Sequence, residues 1–194
     1  MGLGVYPATH ERFLGMLGMH GTYQANMSMH NADLIVAVGA RFDDRITNTP
    51  KLFAPNAKII HLDVDHSSVS KIIEANIAVF GQVKNSLQEM IKLLKSKIDL
   101  IDSKKILPWK EQISNWKSQH GLNHEMYLCE TDDSPIMPQA VVQHVYNITD
   151  GKAYITSDVG QHQMFAAQYY HFDEPRKWIN SGGLGTMGFG LPAA

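Results

Sequence analysis

Short runs of β-branched and other apolar residues alternate with longer amphipathic stretches in the first half of the chain. Three such runs lie at residues 33–39, 57–65 and 77–80, and each is closed by glycine or by acidic residues. These runs are typical of buried parallel strands. Apolar residues then recur at helical spacing over residues 83–94, and residues 21–30 are also predicted to be helical. This alternation predicts an open α/β sheet whose ligands lie at the carboxyl ends of the strands.

The pattern changes in the second half of the chain. Lysine and aspartate dominate residues 96–135, which we interpret as a linker with a partly helical middle. An amphipathic helix is predicted at 138–148 and a strand at 153–157, followed by a polar turn that leads into another helix. The chain is therefore predicted to consist of a parallel-sheet domain at 1–95, the linker, and the start of a second α/β domain at 136–194.

Glycines near the end of the chain form a candidate phosphate-binding turn. Gly183, Gly185 and Gly188 have the spacing G-x-G-x-x-G, residues 177–180 are predicted to form a short strand before them, and residues 189–194 are expected to open a helix. Glycine lets backbone N–H groups approach an anion, and a helix start adds positive partial charge. A turn that only packs is the alternative. A nicotinamide fingerprint is disfavoured, because it needs an acidic residue about 20 positions further on.

Composition and charge narrow the classes of function. The 194 residues are 44% hydrophobic, with a formal net charge of −2 and a pI near 6.5. These values are ordinary for a globular protein and argue against nucleic acid or an anionic membrane as a partner. No apolar run approaches the roughly 20 residues of a membrane helix, and the N-terminus shows no signal-peptide pattern. The single cysteine, Cys129, excludes an internal disulfide. A small-molecule ligand fits best.

Acidic residues follow the second predicted strand. Asp63 and Asp65 could accept hydrogen bonds from the two hydroxyls of a ribose, and Asp63 lies 24 residues after Gly39, near the interval of a nucleotide-binding βαβ unit. A solvated strand end is the alternative. His61, Asp63, Asp65 and His66 also permit a metal site, which we favour less.

A charged loop follows the first predicted strand. Its sequence, GARFDDR at residues 39–45, contains two arginines and two aspartates. Arg41 and Arg45 are candidate ligands for a carboxylate or phosphate, oriented by Asp43 and Asp44, because the planar guanidinium binds such groups in a bidentate manner. A cluster of surface ion pairs is the alternative.

A third candidate lies before the first predicted helix. The sequence MLGMHG at residues 16–21 contains methionines, which can line a flat aromatic ring, and His20, which could hydrogen-bond a cofactor. A structural histidine is the alternative. No nucleophile has a recognisable setting, since Cys129 has no visible partner and no serine lies in a G-x-S-x-G elbow.

Taken together, these stretches resemble the large, catalytic subunit of the acetolactate synthase (acetohydroxyacid synthase) family, which depends on thiamine diphosphate. The resemblance covers nearly the whole chain except residues 95–135, and it depends on the combination and order of the motifs. The residues that carry it are MGLGVYP at 1–7, FLGMLGMHGTYQANMSMHNADLIVAVGARFDDRIT at 13–47, HLDVD at 61–65, SDVGQHQMFAAQYY at 157–170 and SGGLGTMGFGLPAA at 181–194.

The resemblance implies a parent protein of three α/β domains. Residues 1–95 would be the C-terminal part of its Rossmann-like, FAD-binding central domain, and residues 136–194 the start of its thiamine-diphosphate-binding domain. Both ends of the chain are accordingly expected to be internal to a longer protein. GLGTMG would be the thiamine diphosphate loop, with Gly185 near the cofactor and Met187 holding it in a bent shape.

The resemblance also assigns cofactor and substrate residues. Arg45 would pair with the carboxylate of the second 2-ketoacid substrate. The implied thiamine diphosphate contacts are Val159, Gly160, Gln161, His162, Gly185 and Met187. The implied FAD contacts are Met1, Gly2, Leu17, Gly18, Met19, His20, Gly39, Arg41, Asp44, Asp63 and Val64. Mg²⁺ is implied as a third cofactor, with ligands outside this chain.

The implied reaction decarboxylates pyruvate and joins the two-carbon unit to a second pyruvate or to 2-ketobutyrate, in branched-chain amino acid biosynthesis. FAD is not expected to carry net electrons. The parent would be a homodimer or homotetramer, with or without a small regulatory subunit. It would be cytoplasmic, or organellar if a transit peptide preceded the chain.

One position departs from the family pattern, and two functional elements are missing. Gln82 stands where family members commonly have aspartate, which predicts a weaker contact to FAD. The activating glutamate and the Mg²⁺ motif would lie outside these residues, so the 194-residue chain alone is expected to be inactive. The alternatives are another thiamine diphosphate enzyme, such as pyruvate oxidase, glyoxylate carboligase or a decarboxylase, and a non-catalytic flavin-binding module.

Overall fold

A computed structural model describes residues 2–122 and 135–194. The chain separates into two compact units. The first, here called the terminal unit, combines Met1–Ala25 with His120–Ala194, and the second, the central unit, is the continuous stretch Asn26–Gln119. These units follow contacts in space and therefore group the first 25 residues with the end of the chain, whereas the predicted domains follow sequence order.

The central unit is built on a three-stranded parallel sheet. Its strands are β1 (Leu34–Val38), β2 (Lys58–Asp63) and β3 (Ile77–Phe80), in the order β1-β2-β3. Val36 is opposite Ile60, and Ile60 is opposite Ile77. All three predicted strands are confirmed, and so is the α/β class with its parallel, Rossmann-like sheet.

Helices connect and follow these strands. The chain enters the sheet through α1, and the remaining helices lie between or after the strands; they are α1 (Tyr23–Asn31), α2 (Asp44–Thr47), α3 (Val83–Ser96) and α4 (Leu107–His120). Three short 3₁₀ turns add to them, at Pro50–Leu52, Ile98–Leu100 and Ser103–Ile106. The predicted linker therefore contains a full helix of 14 residues, α4, as well as these last two turns.

One face of the sheet packs against the core of the central unit. Ile35, Ala37 and Ile59 lie on this face and form a buried cluster with Phe42 and Ala54. The opposite face of β1 is more open, since Leu34, Val36 and Val38 are 52%, 40% and 41% exposed.

The terminal unit holds a second, smaller parallel sheet. Its strands are β4 (Ile155–Ser157) and β5 (Trp178–Asn180), and its helices are α5 (Pro138–Thr149) and α6 (Gln161–Tyr169). A 3₁₀ turn at Gly18–His20 belongs to the same unit. The predicted helix and strands of this region are confirmed, with boundaries shifted by one or two residues.

The core of the terminal unit combines residues from the two ends of the chain. Leu3 is buried in one cluster with Ala166, Tyr170, Phe172 and Trp178. Phe172 is 1% exposed and contacts the rings of both Tyr170 and Trp178. Burial of this aromatic cluster ties the N-terminal residues to α6 and β5.

Two further observations concern the chain as described. Residues 189–194 form hydrogen-bonded turns, with the Ala193 N–H donating to the Phe189 carbonyl, so the helix expected there is not formed. Among residues 2–122 and 135–194, no helix is both long enough and apolar enough to cross a membrane.

Candidate functional site

The carboxyl ends of β4 and β5 form one edge in the terminal unit. The strands are parallel, and Ser157 at the end of β4 is opposite Asn180 at the end of β5. Asp158 therefore leaves the sheet beside Ser181. The glycine-rich loop, residues 183–188, begins two residues after Ser181, at the edge where open α/β sheets bind ligands.

Side chains from both strand ends hold the glycine-rich loop. The N–H of Thr186 donates to the Ser181 hydroxyl oxygen at 3.0 Å, and the N–H of Gly188 donates to both oxygens of Asp158 at 2.8 Å. The N–H of Gly185 donates to the backbone carbonyl of Ser181. Met187 is thus fixed through the residue on each side of it, while its own side chain is 78% exposed.

Asp158 is a carboxylate stabilised by backbone donors. N–H groups of Val159 and Gly188 lower the pKa of its carboxyl below the ordinary value of 3.8, and the charge of His162 and the N–H of Gly190 act in the same direction. Gly190 must be close, because a Cβ there would lie 2.5 Å from the backbone nitrogen of Asp158. Glycine is therefore needed at position 190 for close packing against the strand end.

The N-terminus of α6 lies directly after Asp158. Gly160 is its cap, with a φ of 152°, and a Cβ at this position would be 2.9 Å from the His162 ring. The first N–H groups of a helix have no intrahelical acceptor and carry positive partial charge. Gln161 and His162 form the start of this helix, so the segment suits an anionic group such as a diphosphate.

The structure brings several predicted thiamine diphosphate residues together. A Cβ on Gly185, which has a φ of 62°, would lie 4.0 Å from a methyl carbon of Val159, so the loop passes next to the entry of α6. However, the N–H groups of Gly185, Thr186 and Gly188 already have acceptors within the protein. The N–H donors available to a phosphate are therefore those at the start of α6, and the loop forms a wall of the site.

The central unit has a comparable strand-end arrangement. Gly39, Asp63 and Gly81 follow or end its three parallel strands, and the Gly39 N–H donates to the Leu62 carbonyl at 2.8 Å. The Gly81 N–H donates to the Asp63 carbonyl at 3.1 Å. A Cβ on Gly39 or on Gly81 would meet no atom closer than 3.7 Å, so a ligand can approach both backbones. These features fit a nucleotide at this edge.

Asp63 and its neighbours differ in how far they are available to a ligand. The carboxylate of Asp63 is largely buried and accepts the N–H of Asp65, while Val64 is 59% exposed. Asp65 accepts hydrogen bonds from the hydroxyls of Ser67 and Ser68 and the backbone N–H of Ser67, which lower the pKa of its carboxyl. Asp65 thus stabilises its own turn, so it is a poorer candidate for ribose than Asp63.

The metal hypothesis for His61, Asp63, Asp65 and His66 is wrong for the described structure. No group of three or more histidine, cysteine, aspartate or glutamate side chains in the described residues could hold a metal ion. The ring of His66 instead stacks on Phe80, with centroids 4.0 Å apart and planes 3° from parallel. Cys129 lies outside the described residues.

The charged loop contains two local ion pairs. Arg41 contacts Asp43 at 3.1 Å, and Arg45 contacts Asp44 at 2.5 Å. The carboxylate of Asp43 also accepts the N–H of Arg45 and so caps α2. Both arginine side chains are more than 60% exposed, so either pair can open at little cost to admit a different anion.

Comparison with known protein families identifies the family to which the chain belongs. Residues 1–90 match the family described as "Thiamine pyrophosphate enzyme, central domain". Residues 158–194 match "Thiamine pyrophosphate enzyme, C-terminal TPP binding domain", a match that begins at Asp158 and contains both α6 and the glycine-rich loop. This chain belongs to the thiamine pyrophosphate enzyme family.

Relatives within the thiamine pyrophosphate enzyme family are similar over the entire chain. The sequence is 54% identical to acetolactate synthase isozyme 3 large subunit of Escherichia coli (strain K12) over 194 residues, which are 100% of this chain and 33% of that protein. It is 52% identical to the acetolactate synthase large subunit of Haemophilus influenzae and 43% identical to chloroplastic acetolactate synthase of Arabidopsis thaliana. These alignments cover 100% of the chain and 33% and 28% of the relatives. The chain therefore spans about a third of their length.

The residues that the resemblance predicts to contact FAD are found in both units. Gly2, Leu17, Gly18, Met19 and His20 belong to the terminal unit, where Met19 is 56% exposed and the His20 carbonyl accepts a hydrogen bond from Gln168. The others belong to the central unit: Gly39, Arg41, Asp44, Asp63 and Val64. Met1 lies outside the described residues.

Two residues of the site were not predicted from sequence. Asp158 and Ser181 belong to the motifs at 157–170 and 181–194, but neither the residues nor the resemblance assigns them a role. Both residues directly follow a strand and precede a glycine by one or two positions. A polar residue in that position could have been predicted to hold a neighbouring loop. Gln82, which departs from the family pattern, caps α3 without a side-chain hydrogen bond.

Proposed function

We propose that this chain is part of an acetolactate synthase large subunit. The enzyme would condense two pyruvates to 2-acetolactate, or pyruvate and 2-ketobutyrate to 2-aceto-2-hydroxybutyrate, with release of CO₂. The observation that carries the proposal is the joining, within residues 158–194, of the α6 N-terminus and a glycine-rich loop at one sheet edge. The 54% identity to a large subunit of this name supports the choice within the family.

The residues of the terminal unit divide the binding of thiamine diphosphate between two segments. Gly160, Gln161 and His162 at the start of α6 would bind the diphosphate through backbone N–H groups and the helix dipole. Val159 would contact the cofactor through other atoms, because its N–H donates to the Asp158 carboxylate. Bound thiamine diphosphate supplies the carbanion stabilisation that decarboxylation needs. Met187 would press against its underside, since an exposed apolar side chain on a tethered loop can hold a bent ligand and exclude water.

FAD would bind the central unit at the edge formed by Gly39, Asp63 and Gly81. The two glycines leave room for FAD to approach the backbone closely, and the carboxylate of Asp63 can accept hydrogen bonds from ribose hydroxyls. Gln82 offers an amide in place of a carboxylate, so its contact to FAD would be weaker. Mg²⁺ would be bound by residues outside this chain and would help to neutralise the diphosphate charge.

Arg45 would bind the carboxylate of the second 2-ketoacid. Its guanidinium is exposed and pairs with a neighbouring carboxylate on Asp44, so substrate binding would exchange one carboxylate for another. Such an exchange conserves the charge-assisted hydrogen bond and costs little at an exposed position. This role is for orientation of the acceptor substrate, and the decarboxylation step would not depend on it.

The test is an assay of the full-length protein for acetolactate formation from pyruvate. Thiamine diphosphate, Mg²⁺ and FAD are omitted one at a time, and loss of product on each omission is expected. Product formation without FAD would contradict the flavin assignment alone. Acetaldehyde or acetyl phosphate as the product would identify a decarboxylase or an oxidase and would overturn the proposal.

The remaining properties of the parent are part of the same proposal. We expect a homodimer or homotetramer, since active sites of this family form between subunits, and a small regulatory subunit is an additional candidate partner. The setting would be cytoplasmic, or organellar where a transit peptide precedes the enzyme. The 194-residue chain alone should be inactive, and measurable acetolactate formation by this purified chain would contradict that expectation.

A further inference from the structure

The hydrogen bonds around Met187 assign a function to two residues that carry none in the resemblance. We infer that Asp158 and Ser181 are positioning residues, which clamp the glycine-rich loop and thereby set the height and direction of the Met187 side chain. The inference depends on the proposed function, because it concerns the contact of Met187 with thiamine diphosphate.

The first argument is the placement of the two anchors. Asp158 and Ser181 each leave the end of a strand, and β4 and β5 are hydrogen-bonded neighbours. Their side chains accept the N–H groups of Gly188 and Thr186, which flank Met187 in the sequence. The loop is thus bonded to the ends of two paired strands at two points, one on each side of the residue to be positioned.

The second argument is the flexibility of the loop without these anchors. Gly185 and Gly188 have φ values of 62° and 85°, and a Cβ on Gly188 would meet no atom within 4 Å. Packing therefore does not fix the loop at Gly188. Met187 is 78% exposed, so its side chain makes little contact that could hold the loop from its own side.

The third argument is the charge of Asp158 next to the proposed diphosphate position. An uncompensated carboxylate at the start of α6 would repel an anionic ligand. Here both carboxylate oxygens accept the Gly188 N–H and one also accepts the Val159 N–H at 2.7 Å. The Gly188 N–H therefore stabilises the charge of this side chain and is not available to phosphate, and the Gly185 and Thr186 N–H groups donate to Ser181. Positioning by the loop is thus separate from phosphate binding by the helix.

Asp158→Asn, Ser181→Ala and Ser181→Thr in the full-length protein test the inference. Ser181→Thr keeps the hydroxyl acceptor and should restore wild-type behaviour. Asp173→Asn is a matched control, because the Asp173 carboxylate also accepts a backbone N–H, that of Thr9, but is not bonded to the loop.

The first measurement is amide hydrogen exchange of residues 185–190 without cofactor. Ser181→Ala removes the acceptor of the Thr186 N–H, and Asp158→Asn leaves one neutral amide oxygen in place of two charged acceptors. Each variant should therefore accelerate exchange in this segment by about tenfold. Asp173→Asn should leave it unchanged. This measurement needs no thiamine diphosphate, so it tests whether Asp158 and Ser181 hold the loop even if the proposed function is wrong. Wild-type exchange in both loop variants would overturn the inference.

The second measurement compares affinity for thiamine diphosphate with the rate of hydrogen exchange at its thiazolium C2. A misplacement of about 1 Å can cost up to about 100-fold in rate, so C2 exchange should fall while the Kd changes by less than about threefold. In a Met187→Ala background Asp158→Asn should cause no further loss. Equal losses in Kd and C2 exchange, or an added loss in that background, would mean a general structural role and overturn the inference. If Asp158→Asn fails to fold, Ser181→Ala decides alone.

Discussion

Replacement of His61 by phenylalanine should stabilise the central unit. His61 lies in the middle of β2, is fully buried, and has no hydrogen-bond partner on either ring nitrogen among the described residues. The carboxylate of Asp63 is the nearest charge, at 3.7 Å from Nε2, which is too long for a hydrogen bond. The imidazole therefore carries a desolvation penalty that a hydrocarbon ring of similar shape would not.

The expected gain follows from two opposing terms. Each buried polar group without a partner costs about 1–3 kcal/mol, and His61 has two such nitrogens. Phe42 meets the His61 ring edge-on, with centroids 5.2 Å apart, and this contact suits a phenyl ring equally well. The larger ring offsets part of the gain, since overpacking typically costs about 1–3 kcal/mol. We expect a net increase of about 1 kcal/mol in the free energy of opening.

The assay is native-state hydrogen exchange of the β1, β2 and β3 amides in the 194-residue chain. Local exchange reports the opening of one cooperative region, so it does not require the two units to unfold together. The increase corresponds to about fivefold slower exchange across the sheet. Leu62→Ala is the control for sensitivity, because this neighbouring side chain is also fully buried and its truncation should cost about 3 kcal/mol.

Faster exchange in the His61→Phe variant, with the Leu62→Ala control behaving as expected, would refute the reasoning. It would show that a ring nitrogen of His61 has a hydrogen-bond partner in solution. Exchange of the same variant is then measured with and without FAD. If His61 bonds to FAD, the loss of protection will depend on FAD; if it bonds to a protein group, the loss will be the same in both conditions.

Three further predictions concern single interactions. Asn76→Ala should destabilise the central unit by about 1–3 kcal/mol in urea unfolding, since the buried Ile59 N–H loses its acceptor at 2.7 Å. Gly190→Ala should lower the thermal stability of the terminal unit, because the added Cβ meets the Asp158 backbone. The pKa of the Asp158 carboxyl is lowered, so the stabilisation that this side chain gives the terminal unit is fully present above pH 3.8 and is lost as the pH falls through the folded-state pKa. The chemical shift of the Gly188 amide proton should follow that titration.

The regular elements were predictable because their signal is local. The β-branched runs of β1, β2 and β3 and the apolar face of α3 are periodic patterns in neighbouring residues, and the structure places all four within two residues of the predicted bounds. The helix at residues 107–120 was predicted only as the partly helical middle of a linker, because lysine and aspartate dominate residues 96–135.

The candidate site was predictable only where a motif marks it. Gly185, Val159 and Gly160 belong to recognisable motifs, and the structure brings the loop and the α6 start together. The hydrogen bond between Asp158 and Gly188 joins a side chain to a backbone group 30 residues away. No periodic pattern in the sequence could have predicted it. The cofactor residues themselves remain predictions that binding measurements must test.

The composition of the terminal unit has a consequence for the order of events during synthesis on the ribosome. Leu3 and its neighbours leave the exit tunnel well before their packing partners Phe172 and Trp178, which are translated about 170 residues later. At about 5–20 residues per second this apolar segment waits on the order of ten seconds or more. The central unit, a continuous stretch, can fold during that interval. Nascent chains stalled before residue 166 should therefore hold a folded central sheet beside an N-terminal segment that chaperones can bind.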